Sequence, residues 1–345
     1  MRFCKRTMKD FIALKIEVNA MKKLIVIFAI FAMYGSVAVG NNENKIIIDE
    51  YEKCLSNVYD MKSCSMALIA SKALCNANYS VSCGIAGFLY LYGLGGANQS
   101  YAEAKKYYKK ACDLEEGLGC SYLGSLYEGG LGVTQNYILA KQYYKKACDL
   151  EDGLGCNSLG TLYERGLGVT QSYTIARELY KKACDKDEGI GCSNLGVLYN
   201  NGQGIRQDYA KARELYQKSC NFDEGLGCYN LGVLYANGLG VTKNYTKAVE
   251  LYQKACDLGV GLGCNNLGTL YERGLGVTQS YTIAKEYYLK SCNFDEGLGC
   301  YNLGALYYNG LGVTKNYTKA RELFMKACNM GEGKGCNNLS ALYNN

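Results

Sequence analysis

Cysteine recurs along this chain every 36 residues. Cys112, Cys148, Cys184, Cys220, Cys256, Cys292 and Cys328 form one series, and Cys120, Cys156, Cys192, Cys228, Cys264, Cys300 and Cys336 a second, with partners eight positions apart. Cys75 and Cys83 join with a one-residue insertion before Tyr101, and Cys54 and Cys64 form a looser pair ten apart. A period of this size means stacked supersecondary units, each burying its apolar face against the next. It overrides any division of the 345 residues into ordinary domains by length.

Within one unit, Cys120, Leu123 and Tyr127 recur at three-four spacing, which predicts a first helix ending at Gly130, where glycine can take the left-handed cap. Gly166, Gly202, Gly238, Gly274 and Gly310 hold the same place. After a Gly-Leu-Gly-Val-Thr loop, Tyr137, Ala140, Tyr144 and Ala147 mark one face of a second helix. It is preceded in successive units by Ser100, Asn136, Ser172, Asp208, Asn244, Ser280 and Asn316, all good N-caps. Gly124 and Ala140 are small enough to let the two helices approach closely. Lys145 and Lys146, near the end of the second helix, suit its dipole and read as a solvated face.

The spacing Leu123-Gly124, Tyr127, Ala140, Tyr144, Ala147 resembles the tetratricopeptide signature, with a longer loop and a shorter turn between units. Together with the recurring GLGC, LY and KAC, it resembles the Sel-like repeat family, and the flanking cysteine pairs resemble that family's cysteine-rich Helicobacter branch. The resemblance spans nearly all of residues 45–345. It implies an all-α, right-handed α/α solenoid superhelix of about eight helix pairs and a terminal half-unit, stapled by disulfides.

Met21-Lys22-Lys23, the uncharged run Leu24 to Gly40 and the polar Asn41-Asn42-Glu43 follow the order of a secretory signal peptide, cleaved after Gly40 or Ala38. A membrane anchor is the competing reading, but the run is short for a span of about 20 residues. Residues 1–20 fit no part of such a signal and read as an over-extended start. The organisation expected is therefore 1–20 spurious, 21–40 signal, 41–82 an N-terminal helix pair, and 83–345 tandem repeats. The net charge of +6 also belongs to the leader: residues 1–23 hold seven basic and two acidic side chains, leaving 31 and 30 beyond them. A nearly neutral mature chain has no electrostatic case for nucleic acid, and no membrane anchor remains after cleavage.

The turn between each cysteine pair joins two antiparallel helices and can bring the sulfurs together. Export supplies an oxidising compartment, and 18 cysteines remain once Cys4 leaves with the leader. Nine bridges between sequence neighbours are expected: Cys54–Cys64, Cys75–Cys83, Cys112–Cys120, Cys148–Cys156, Cys184–Cys192, Cys220–Cys228, Cys256–Cys264, Cys292–Cys300 and Cys328–Cys336. Thiolate metal sites are the rival, disfavoured because zinc ligand spacings are usually two to four and no second ligand type is present. No metal and no cofactor is expected.

The chain has no histidine. That excludes His-ligated zinc and any Ser-His or Cys-His nucleophile pair. The family resembled is also classed with β-lactamases, which implies binding and slow hydrolysis of penicillin- and cephalosporin-type rings. Yet no serine here has lysine three residues on, and the Ser-Asp-Asn and Lys-Thr-Gly elements are missing. Glu116, Asp152, Glu188, Glu224, Glu296 and Glu332 recur just before the turn glycine, with Val260 breaking the series. A feature restated in nearly every unit reads as structural, since catalysis needs one convergent site. No catalytic residue is nominated.

Binding has more to work with. If tetratricopeptide geometry carries over, the first helices line the inner face, the surface solenoids present to partners. Residues varying between units lie there: Ser121, Asn157, Ser193, Tyr229, Asn265, Tyr301 and Asn337 after the cysteine, and Glu128, Glu164, Asn200, Ala236, Glu272, Tyr308 and Asn344 near the helix end. Beside them runs Asn194, Asn230, Asn266, Asn302 and Asn338, whose amides both donate and accept. Such a row either holds an extended peptide or glycan, or bonds within and between the helices. Asn157 to Tyr180 nearly recurs at Asn265 to Tyr288, which points to surface length rather than a unique pocket. The reading is a secreted or periplasmic monomeric scaffold for a protein, a peptide or a peptidoglycan fragment, with a weak β-lactamase or penicillin-binding hydrolase as the alternative.

Overall fold

The computed structural model describes Cys54 and residues 61–343, a stretch of paired helices with no strand among the described residues. The expected signal peptide, the over-extended start, Cys4, part of the 41–82 pair and Asn344 lie outside these residues. The chain divides into two compact units, up to Gly191 and from Cys192 on. The first holds α1 (Met61–Asn76), α2 (Ser80–Tyr92), α3 (Tyr101–Asp113), α4 (Gly117–Gly129), α5 (Tyr137–Asp149), α6 (Gly153–Arg165) and α7 (Tyr173–Asp185). The chain crosses the division in α8 (Gly189–Asn201). The second holds α9 (Tyr209–Asn221), α10 (Gly225–Asn237), α11 (Tyr245–Asp257), α12 (Gly261–Arg273), α13 (Tyr281–Asn293), α14 (Gly297–Asn309), α15 (Tyr317–Asn329) and α16 (Gly333–Tyr343). No helix among the described residues is long and apolar enough to cross a membrane.

The helices start and stop where the sequence places them. The Ser100 side chain accepts from the Glu103 amide and Asn136 from the Ile138 and Leu139 amides, and the other five second-helix caps act in the same way. The first helix α4 stops at Gly130, whose φ of 65° lets its N–H reach the Leu126 carbonyl. A glutamine then clips each loop: Gln135 Nε2 donates to the Glu128 carbonyl (2.8 Å) and to the Tyr137 hydroxyl (2.9 Å). Where lysine replaces it, the ammonium lies over the same tyrosine instead, Lys243 at 4.9 Å from the Tyr245 ring centre and Lys315 at 5.2 Å from Tyr317.

Each core is built from both helices of a pair and the next one along. Around α3 and α4, Ala104, Tyr108, Cys112, Cys120, Leu123 and Leu126 are all 1 % exposed or less. Cys54–Cys64, Cys75–Cys83, Cys112–Cys120 and Cys148–Cys156 are bridged in the first unit, and Cys220–Cys228, Cys256–Cys264, Cys292–Cys300 and Cys328–Cys336 in the second. All have Cα–Cα distances of 4.5–4.6 Å. Cys184 and Cys192 are also disulfide-bonded. First helices also touch successive first helices, α2 with α4 and α4 with α6 in one unit, α12 with α14 and α14 with α16 in the other, so they form the closer-packed row. Lys145 lies in solvent paired with Asp149, but Lys146 does not share that face. It reaches back to donate to the Cys112 carbonyl at the end of the preceding second helix, 2.7 Å away.

Candidate functional site

The recurring acids are the N-caps of the first helices. Glu116 accepts from the Gly119 amide (2.6 Å), Asp152 from Gly155 (2.8 Å), Glu224 from Leu226 (3.3 Å), Glu296 from Leu298 (3.3 Å) and Glu332 from Lys334 (3.1 Å). Val260 caps α12 with no side-chain bond. On α4 the residue after the cysteine meets the next cap. Ser121 Oγ donates to Asp152 at 2.5 Å, whereas Tyr229 and Val260 pack together on one apolar core. An aromatic-aliphatic pair there takes the place of a hydroxyl-carboxylate pair. Burial pushes the Glu116 carboxyl up to about 7, with Asp152 adding to the rise, and burial pushes Asp152 up as well.

The amide row in the second unit is knitted between helices. Asn266 on α12 accepts from Asn265 Nδ2 at 3.4 Å, and the Tyr229 ring of α10 and the Tyr252 ring of α11 tilt together at 5.9 Å. Burial pushes the Tyr252 hydroxyl up to about 12. Asn302 on α14 donates to the Oδ1 of Asn265, 2.8 Å away, and Asn265 is itself 2 % exposed. Asn230 and Asn338 lie half-buried on α10 and α16, and Asn194 half-buried on α8. Tyr301 tilts against Phe324 at 5.7 Å, with the Lys334 ammonium 6.0 Å from its ring centre. Tyr308 is exposed and meets the edge of Tyr317 at 5.3 Å.

Glu164 and Glu272 are taken up inside their own helix pairs. The Tyr180 hydroxyl donates to Glu164 (2.5 Å) and that of Tyr288 to Glu272, and each hydroxyl also lies 3.2 Å from a threonine, Thr161 or Thr269. Tyr144 and Glu128 repeat the bond at 2.6 Å. Burial, reinforced by the glutamates, lifts all three phenols well above their usual range. Sequence reasoning passed over these bonds and the capping role of the acids. The glutamate precedes its tyrosine by 16 residues, a spacing that becomes contact only once the loop has folded. Among the described residues no group of three or more Cys, Asp or Glu side chains is placed to hold a metal ion.

Seven stretches of this chain match the Sel1 repeat: residues 80–115, 117–152, 153–188, 189–221, 225–260, 261–293 and 297–332. The chain belongs to the Sel1 repeat family. Among curated proteins it is similar to the β-lactamase HcpA of Helicobacter pylori, 54% identical over 35 residues, or 10% of this chain and 14% of that one. The chain thus matches only about a seventh of that relative's length. Among solved structures, this Sel1 repeat chain resembles c5321, a protective antigen of uropathogenic Escherichia coli strains with an SLR fold. The TM-score is 0.62 and the identity 28%, over 92% of this chain and 67% of that one. It also resembles a Sel1 repeat protein from Oxalobacter formigenes, with a TM-score of 0.64 and 25% identity, over 70% of this chain and 98% of the other. The bonded cysteines of this Sel1 repeat chain fit an oxidising compartment.

Proposed function

We propose that the chain is a secreted or periplasmic binding scaffold whose first helices hold an extended peptide or protein segment, or a cell-wall-derived ligand, with residues 21–40 as its export signal. The observation that carries this is the amide row of the second unit. Asn266 and Asn302 are each bonded to Asn265 while remaining only half-buried. An amide held in place by one bond still has donor and acceptor capacity to offer, at little ordering cost on binding. The spacing repeats with the helices, as an extended ligand requires. The test is capture from periplasm and culture medium on immobilised chain, wild type beside Asn230→Ala/Asn266→Ala/Asn302→Ala. A ligand retained by the wild type and lost by the triple variant, at similar melting temperature, is the expected result; equal retention refutes the role of the row.

The β-lactamase reading draws on the name of the Helicobacter relative. Ser121, the serine hydrogen-bonded to a carboxylate here, is 1 % exposed and unable to reach a lactam carbonyl. No nitrocefin turnover is expected from tag-free protein; turnover with titratable covalent labelling would establish the enzyme.

A further inference from the structure

A chain without histidine has no ordinary side chain that titrates near neutrality. The first unit nevertheless stacks carboxylates where one can. Glu116 and Asp152 cap successive first helices, and Gly117, which separates them, has no room for a side chain: a Cβ there would lie 2.8 Å from Asp152 Cβ. The column continues upward, with a Cβ on Gly153 lying 2.9 Å from that of Glu188. Below, Glu116 faces Gly84 of α2, which offers it no charge.

We propose that the Glu116–Asp152 column is a proton-operated clamp that holds α4 and α6 together in mildly acidic medium and slackens as pH rises through neutrality.

Among the described residues, the charges around the column give it no counter-ion. On α5, Lys146 spends its ammonium on the Cys112 carbonyl, and Lys145 pairs with Asp149. At the end of α3, Asp113 pairs with Lys109 at 2.6 Å. On the α7 side, Lys186 pairs with Glu151, not with the cap beside it. What faces Glu116 is Asp152, a like charge, and both carboxyls are raised chiefly by burial. Ser121 and the Gly155 amide partly satisfy Asp152, and the Gly119 amide Glu116. A group whose folded value is raised binds its proton more tightly in the native state. The stability it adds is complete below the ordinary carboxyl range and is lost as pH climbs through about 7. The second unit carries a built-in control, since α12 is capped by Val260, which cannot titrate.

The experiment is amide exchange on the full chain with disulfides intact, at pH 5 and pH 8, corrected for intrinsic rates. Protection around Gly119 and Gly155 should fall about tenfold or more between the two pH values, while the start of α12 stays level. Glu116→Gln keeps an oxygen for the Gly119 amide but cannot ionise, and should abolish most of that fall. Asp152→Asn, which removes the like charge and also does not ionise, should reduce it, and serves if the first variant misfolds. A wild-type profile that is flat, or a fall that persists unchanged in these variants, overturns the clamp.

Discussion

Gly124 lies so close under the Tyr144 ring that a Cβ on it would come within 2.6 Å of a ring carbon. The ring cannot swing aside, because it is 2 % exposed and its hydroxyl is tied to Glu128. The same contact recurs between Gly160 and Tyr180 and between Gly268 and Tyr288. Gly124→Ala should therefore cost about 1–2 kcal/mol: overpacking of about 2–3 kcal/mol, the upper part of the usual range because the ring is held, less about 1 kcal/mol for alanine's better helix propensity. An unchanged thermal midpoint would rule out this packing role.

The turn between the cysteines of each pair contains a residue in the left-handed region, and in most repeats it is an acid. Glu115 has φ 62° and Glu151 φ 64°, where Gly259 (88°) and Gly331 (90°) stand in two later turns. A side chain there costs about 1–2 kcal/mol that glycine avoids, though glycine loses more entropy on folding. Glu115→Gly is expected to stabilise the chain by about 0.5–1 kcal/mol, seen as a higher urea midpoint at unchanged slope. Glu151→Gly should gain less, since Glu151 also pairs with Lys186.

Each bridge closes a short loop between the end of one helix and the start of the next. For Cys148 and Cys156, loop-closure entropy assigns about 2–3 kcal/mol. Cys148→Ala with Cys156→Ala should lower the urea midpoint accordingly and speed amide exchange first in α5 and α6, because each repeat contacts chiefly its neighbours. Equal midpoints for wild type and double variant would mean that packing alone sets the stability.

The regular parts of the fold were legible because they are restated in every unit. The cysteine period, the Ser, Asn or Asp before each second helix, and the glycine at Gly130 and its equivalents each act within one turn of the chain. What the sequence concealed acts across units or loops. Glu116 reads as one more acid before a glycine until the turn brings its oxygen to the Gly119 amide. Val260 interrupts the acids and packs with Tyr229, 31 residues earlier, on one core, a contact the linear sequence does not show. The asparagine row was visible as a row, but the direction of its bonds depends on helix spacing. Asn302 therefore finds Asn265 on the neighbouring first helix, not a partner on its own.

Lys254 shows how one repeat is fastened to the last. Its ammonium donates to the Cys220 carbonyl at 2.8 Å and pairs with Asp223 at 2.9 Å, both in the preceding turn. Lys146 and Lys326 make the carbonyl bond in their own repeats, to Cys112 and Cys292. The acceptor is a last-turn carbonyl that also accepts from the Asp223 amide just past the helix (3.1 Å), so the lysine adds a second bond that caps α9 from α11. A charge-assisted bond of this kind contributes about 1.5–3 kcal/mol when buried, and the partial exposure of Lys254 places it toward the lower end. Lys254→Met keeps the apolar stem and removes the donor, so a loss of about 1 kcal/mol is expected in the urea midpoint. Amide exchange separates a cap from a mere surface ion pair. If the lysine fastens the repeats, the end of α9 frays in Lys254→Met but not in Asp223→Asn, where the carbonyl bond survives. Equal fraying in the two variants would assign the effect to the ion pair.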